Sequence, residues 1–108
     1  MKRLVFLSLV LGFLSADALG ASPENGKAKA AQVCAACHGP DGNKPSAPDQ
    51  PILAGQHYDY LVRALTDYKI GRRTNPIMKG FAGQLSKQDI EDLAAWFSSQ
   101  KSSLHDQR

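Results

Sequence analysis

The chain has 108 residues, 43% of them hydrophobic, and a formal net charge of +3 at pH 7. This length allows one small domain, whose apolar core alone would stabilise the fold only marginally. No stretch combines dense Lys and Arg with aromatic residues, so the composition argues against a nucleic-acid-binding surface.

The first 21 residues have the three-part layout of a secretory signal peptide. Two basic residues precede an apolar run from Leu4 to Leu14, and small residues follow, with cleavage expected near residues 18–21. Asp17 ends the apolar run well short of the about 20 residues that a membrane-spanning helix needs. We therefore expect export to the periplasm, with residues 22–108 left as one domain that has no membrane span.

The first predicted helix runs from Ser22 to about Cys37. Ser22 is the expected N-cap, with Pro23 at the first helical position and an Ala-rich stretch after it. The helix stops at residues 39–43, Gly-Pro-Asp-Gly-Asn, because these residue types favour turns. Residues 44–56 contain three prolines and no helical period, which predicts an extended loop.

Two further helices are predicted from apolar periodicity. Apolar side chains recur at helical spacing over residues 57–70, and Gly71 follows as the C-cap. Residues 72–85 contain Pro and Gly and are predicted to be a connection. The last helix covers about residues 86–99 and starts with Ser-Lys-Gln-Asp, which is similar to a capping box. With no strand pattern or repeat, the sequence predicts an all-α fold of three main helices and ordered loops.

The chain's only cysteines, Cys34 and Cys37, stand in the sequence Cys-Ala-Ala-Cys-His, which is typical of covalent haem attachment. Cysteines three residues apart on a helical turn project from one face, so each sulfur can bond to a different vinyl group. His38 follows directly and is placed to bind the iron. The motif predicts one haem c, attached through both cysteines and ligated by His38.

Other uses of a cysteine pair require features that this sequence lacks. A structural zinc site needs four ligands, and a thioredoxin-like pair sits in a βαβ unit. A disulfide is compatible with export but leaves His38 without a role. Haem also explains how so small a domain becomes stable, because a porphyrin adds a large apolar nucleus to the core.

A pure electron carrier needs a second axial ligand, and the candidates are Met78, His57 and His105. His105 lies in a polar tail, and His57 stands at a helix start, where a solvated histidine is common. A lone Met usually fills a core. Met78, however, lies in a connection whose Pro and Gly can present a side chain inward, and the need for a ligand favours it.

His38 also needs an acceptor for its other ring nitrogen, which fixes the tautomer and strengthens the ligand. We predict that the carbonyl of Pro51 is this acceptor. Pro51 has no competing N–H group, and it begins the loop that should cover the His38 side of the haem.

These features together resemble a class I cytochrome c of the short bacterial kind, and most of all one half of the two-haem periplasmic cytochromes c. The resemblance covers nearly all of residues 24–100. It rests on residues 26–30, 34–39, 51–56, 68–73, Met78 and residues 85–97.

The resemblance implies that the first and last helices cross, with Gly26 allowing close approach to Leu93 and Trp96. It also implies His38 and Met78 as the iron ligands and the hydrogen bond to Pro51. Trp96 departs from the pattern, which more often has Tyr at this position.

The predicted function is one-electron transfer in the periplasm, without enzymatic activity, to and from redox proteins of a respiratory or other electron-transfer chain. A basic cluster surrounds Met78 without an acidic residue in between: Lys69, Arg72, Arg73 and Lys79. This cluster either steers a partner with an acidic docking surface or is a solvated loop. We expect a monomer, with a dimer as the alternative.

Two alternatives to a free carrier stay open at this point. A haem enzyme or gas sensor would have a displaceable sixth ligand. An electron-transfer subunit of a larger oxidoreductase would keep the carrier chemistry but remain bound in a complex.

Overall fold

The computed structural model describes residues 20–104. The helices follow one another as α1 (Pro23–Val33), α2 (Ala35–His38), α3 (Tyr58–Ile70), α4 (Pro76–Ala82) and α5 (Lys87–Ser99). This range contains no strand, and the predicted all-α fold is confirmed. None of its helices has the length and apolar character needed to cross a membrane. The predicted signal segment, except for its last two residues, and His105 lie outside the described residues.

The first predicted helix is in fact two helices. Its start is as expected, because the Ser22 hydroxyl accepts a hydrogen bond from the Asn25 N–H at 3.1 Å. It ends early, however, at Val33, since Cys34 has a φ of −112°, whereas helical residues have about −63°. The chain then begins a new turn, in which the Cys37 N–H donates to the Cys34 carbonyl at 3.2 Å. The prediction of one continuous helix to Cys37 was therefore wrong.

The segment predicted as a connection contains helix α4. The Asn75 side chain caps it by accepting hydrogen bonds from the N–H groups of Ile77 and Met78, at 3.0 and 3.1 Å. Pro76 occupies the first helical position, where its missing N–H costs nothing. The glycines in this segment favoured the prediction of a connection. The pair Asn75-Pro76 is, however, a typical helix start, with Asn as the N-cap and Pro at the first helical position. Helix α3, by contrast, ends as predicted at Gly71, which has a φ of 85°.

The capping box at the start of α5 is confirmed. The Ser86 hydroxyl accepts from the Asp89 N–H at 3.0 Å, and the Ser86 N–H donates to the Asp89 carboxylate at 2.9 Å. That second hydrogen bond is the main reason why the pKa of Asp89 lies below its ordinary value. Each partner satisfies a backbone group that a helix start would otherwise leave unpaired.

Helix α1 packs chiefly against α5, and Gly26 sets their separation. A Cβ atom at Gly26 would lie 1.9 Å from the Asp92 carbonyl oxygen and 2.9 Å from the Trp96 Cβ. The close approach that the resemblance implied is therefore present at Trp96, and its other contact is the Asp92 backbone. The buried Asp92 carboxylate joins the crossing by accepting from the Ser22 N–H and from Gln88, both at 2.8 Å.

The core forms where α1, α3 and α5 meet. Its buried members are Ala30, Leu61, Leu85, Ile90, Leu93, Ala94 and Phe97. The apolar stripe predicted on α3 is confirmed as packing at Leu61, and Tyr58, Val62 and Leu65 lie against the same cluster.

Replacing Gly26 by Ala should destabilise the protein by about 3 kcal/mol or more, because the backbone of Asp92 cannot move away without separating the helices. Guanidinium unfolding of the purified protein measures this loss. Gly80→Ala is the matched control, since a Cβ there meets nothing within 4 Å. It should be neutral or stabilising by up to about 1 kcal/mol. Equal losses in both variants would contradict this account of the crossing.

Asp89 should contribute a pH-dependent part of the stability. Its pKa is lower in the folded protein than the ordinary 3.8, so ionised Asp89 stabilises the fold above that pH, and the effect disappears as pH falls through the folded value. Asp89→Asn should cost about 1 kcal/mol at pH 7. The difference from the parent protein should narrow below pH 3.8 in urea unfolding; a pH-independent difference would refute this role.

Candidate functional site

A cavity with mostly apolar walls reaches from the surface into the core, and every helix contributes to its lining. Leu61, Leu93 and Phe97 belong both to the core cluster and to the cavity wall. Its lining includes Cys34, Cys37, His38 and Met78, together with polar and charged side chains such as Asp49, Tyr68 and Arg73. The structure therefore brings together four of the residues that the sequence singled out.

The two cysteines enter the cavity from the break between α1 and α2. Both are partly buried free thiols. Burial, and to a smaller extent the electrostatic effect of the neighbouring Cys37, raises the pKa of the Cys34 thiol to about 11. At neutral pH the Cys34 sulfur is thus an uncharged thiol, which suits an apolar wall.

His38 is buried, with only 6% of its surface exposed. Its Nδ1 lies 2.9 Å from the Pro51 carbonyl oxygen, the contact predicted from the sequence. Because a carbonyl can only accept, Nδ1 carries the proton and Nε2 keeps the free lone pair. The imidazole is thereby held in the tautomer that can bind a metal through Nε2.

The loop after α2 anchors the main chain around His38. The His38 carbonyl accepts from the Lys44 N–H at 3.2 Å, and the Cys37 carbonyl accepts from the Ser46 N–H at 2.9 Å. The Ser46 hydroxyl donates to the Ala36 carbonyl at 2.7 Å. These bonds occupy the carbonyls that the end of a four-residue helix leaves unpaired, so a very short helix becomes a firm support.

A second set of contacts ties this loop to α5. The Trp96 indole N–H donates to the Pro40 carbonyl at 3.1 Å. Gly42 has a φ of 82°, and a Cβ on it would lie 2.8 Å from the Phe97 ring. The Gly42 carbonyl also accepts from the N–H groups of Leu53 and Ala54, at 2.9 and 3.3 Å. Glycine is required here by both the backbone angle and the close approach.

Met78 enters the cavity from the first turn of α4. It is half-buried, and the Asn75 cap holds its backbone N–H. His57, the competing candidate, is the exposed N-cap residue of α3 and does not line this cavity. Of the candidate second ligands within residues 20–104, Met78 is the one that shares the cavity with His38.

The members of the predicted basic cluster have different contacts. The Lys69 ammonium donates to the Leu85 carbonyl and so joins α3 to the loop before α5. Arg72 lines a separate surface groove on α3. Arg73 lines the main cavity, where its guanidinium stacks at 4.7 Å over the Tyr68 ring.

Tyr68 and Arg73 were not predicted as site residues. Tyr68 looked like part of the packing stripe on α3, and Arg73 looked like one charge in a basic run. The available signal was the spacing Tyr-x-x-Gly-x-Arg, because a left-handed Gly71 turns the chain back toward the end of α3.

The four side chains Cys34, Cys37, His38 and Met78 suit a metal ion that is already bound within a large apolar ring, such as a porphyrin. Two thiols can anchor such a ring, while an imidazole nitrogen and a thioether sulfur are ligands that iron accepts. Within residues 20–104 no group of three His, Cys, Asp or Glu side chains is arranged to hold a metal ion. An iron porphyrin fits these residues, since its ring nitrogens supply the remaining ligands.

Comparison with known proteins agrees with this chemistry. The family model described as Cytochrome c matches residues 23–101. Cytochrome c4 of Pseudomonas aeruginosa is 48% identical over 103 residues, which are 95% of this chain and 50% of the relative. Cytochrome c4 of Stutzerimonas stutzeri is 45% identical over 113 residues, covering 95% of this chain and 52% of the relative.

A solved structure, reduced recombinant cytochrome c4 from Pseudomonas stutzeri, superposes with a TM-score of 0.72 at 46% identity. The match covers 79% of this chain and 48% of that chain. The chain thus spans about half the length of the curated relatives it matches.

Proposed function

The chain belongs to the cytochrome c family, and we propose that it is a periplasmic one-electron carrier with a single site. The family's cofactor is covalently bound haem c, whose iron supplies the exchange of one electron between its ferric and ferrous forms. The observation that carries the proposal is the shared cavity of Cys34, Cys37, His38 and Met78. In this proposal residues 1–21 direct export and residues 22–108 form the single-haem domain.

Cys34 and Cys37 hold the ring in place, and His38 provides the first axial ligand. The hydrogen bond to Pro51 supports this assignment. It keeps the proton on Nδ1, leaves Nε2 for the iron, and makes the imidazole a stronger donor. The contacts of Lys44 and Ser46 with the α2 carbonyls keep this ligand in one position in both oxidation states.

Met78 provides the second axial ligand. A thioether is neutral and soft, so it favours ferrous iron and raises the reduction potential above that of a site with two imidazoles. Its position on a capped helix, with Asn75 bonded to two backbone N–H groups, supports a ligand that stays bound. Iron held by both His38 and Met78 would exchange electrons without offering a free position to a substrate.

Optical spectroscopy of the mature protein tests this proposal. Haem that stays with the polypeptide in acidified acetone would show covalent attachment. The oxidised protein should show the weak near-infrared band of sulfur-to-iron charge transfer, and the reduced protein should not bind carbon monoxide at neutral pH. Met78→Ala should lose the band, bind carbon monoxide and have a lower reduction potential, because it lacks the thioether.

His57→Ala is the control for this experiment, since His57 lies outside the cavity. It should keep both the band and the resistance to carbon monoxide. Rapid carbon monoxide binding by the unaltered protein would contradict the carrier and favour a haem enzyme or gas sensor. Purification only as part of a larger complex would favour an oxidoreductase subunit.

The electron partner is proposed to be a redox protein with an acidic docking surface. Arg73 lies at the cavity together with two exposed apolar side chains, Ile77 at 65% and Phe81 at 43%. Lys79 is exposed on the same helix as these two. Exposed apolar residues with a positively charged rim suit a transient complex that long-range charge attraction helps to assemble.

Charge attraction predicts that electron exchange with such a partner slows as ionic strength rises. Lys79→Gln should slow the exchange about two- to threefold at low salt, and the difference should vanish at high salt. Lys87→Gln removes the same charge from the start of α5, where the side chain is 92% exposed, and should have little effect. Stopped-flow kinetics measure the rates; salt-independent rates would rule out the steering.

A further inference from the structure

Arg73 is a cation beside the cavity that the protein itself leaves without a carboxylate. Within residues 20–104 the ion pairs are Lys29–Asp89, Arg63–Asp67 and Lys87–Glu91. No hydrogen bond from the guanidinium to another protein group occurs in the same range; its described contact is the face of Tyr68. A guanidinium in contact with the face of an aromatic ring keeps N–H donors along its edge that can still bind an acceptor.

The backbone explains why Arg73 is at this place. Gly71 adopts a φ of 85°, which reverses the chain at the end of α3. The Arg73 N–H then donates to the Asp67 carbonyl at 3.1 Å and fixes the chain back against the last turn of that helix. The side chain consequently lies over Tyr68, in the last turn of α3, and both residues line the cavity.

Arg72 gives the contrast. It precedes Arg73 by one position but lies in the groove with Asp59, Asp67 and Glu91, outside the main cavity. Of the Lys and Arg residues in the described part of the chain, Arg73 is the one that lines the main cavity. Its position is therefore distinct from a general excess of positive charge on this side of the molecule.

We propose that Arg73, oriented by Tyr68, binds a propionate carboxylate of the haem and so stabilises the ferrous state. The proposal rests on the proposed function, because it requires a haem in the cavity. Guanidinium and carboxylate form charge-assisted hydrogen bonds, often two in parallel. A haem brings two carboxylates to a cavity whose other walls are mostly apolar, and Arg73 supplies a cation for one of them.

The electrostatic consequence has a definite sign. Reduction adds one electron to the iron and removes one positive charge from the site. A fixed cation close to the ring favours the state with less positive charge, so Arg73 raises the reduction potential. Without Arg73, the negative charge of the carboxylate is not compensated. This charge then stabilises the ferric state relative to the ferrous state.

Redox titration of the haem-containing protein, with small-molecule mediators supplying the electrons, tests the proposal. Arg73→Gln should lower the ferrous-to-ferric ratio at a given potential about tenfold, which is 59 mV for one electron. Arg72→Gln, the same charge change one residue away, should change it less than about twofold, because Arg72 lies outside the cavity, in a groove where solvent and the carboxylates of Asp59, Asp67 and Glu91 screen its charge. Equal shifts in both variants, or none in Arg73→Gln, would overturn the proposal.

Two further variants separate binding of the carboxylate from a structural effect. Arg73→Lys keeps the charge but loses the planar group, so its shift should lie between those of the parent protein and Arg73→Gln. Tyr68→Phe keeps the stacking face and should leave the potential unchanged, whereas Tyr68→Leu should lower it partway. An unchanged potential in Tyr68→Leu would refute the orienting role of the ring.

Resonance Raman bands of the propionate groups provide a readout that does not depend on potential or activity. They should shift in Arg73→Gln and stay in place in Arg72→Gln, while circular dichroism shows equal helix content. Unchanged bands in Arg73→Gln would overturn the contact with the carboxylate while leaving the carrier function intact. A purified chain without covalent haem would overturn the proposed function itself, and with it this role of Arg73.

Discussion

The crossing of α1 and α5 at Gly26 is the constraint on which the rest of the structure depends. Contact between the Gly26 backbone and the Asp92 carbonyl brings the two helices closer than any side chain would permit. The chain leaving α1 then places Cys34, and α2 places Cys37, at the cavity, while α5 provides Leu93 and Phe97 as part of its wall. The contact between the Gly26 and Asp92 backbones thus positions both the two cysteines and the α5 wall of the cavity.

Irregular backbone, rather than regular secondary structure, supports His38, the proposed first ligand. His38 ends a helix of only four residues, which could not hold a fixed orientation alone. Hydrogen bonds from the following loop, the Pro51 carbonyl and the Trp96 indole provide the missing rigidity. Of the three prolines in residues 44–56, Pro51 is part of this support, because its carbonyl oxygen accepts the hydrogen bond from His38.

Met78, the proposed second ligand, is positioned in a different way. Met78 lies on a short helix whose first turn is capped by Asn75, and Lys69 connects the end of α3 to the Leu85 carbonyl beyond that helix. Two members of the basic run thus have separate surroundings, one in a backbone contact and one, Arg73, over Tyr68. Neighbouring basic residues thus have different contacts, which their order along the sequence does not specify.

The sequence by itself determined the features that depend on short range. Residues 34–38 specified the attachment chemistry, and the caps at Ser22, Ser86 and Gly71 located helix ends, because each is an interaction within a few residues. Tertiary structure alone decided that Met78 and not His57 shares the cavity with His38, and that Arg73 and not Arg72 faces it. These choices depend on how distant segments pack, which residue spacing along a chain does not specify.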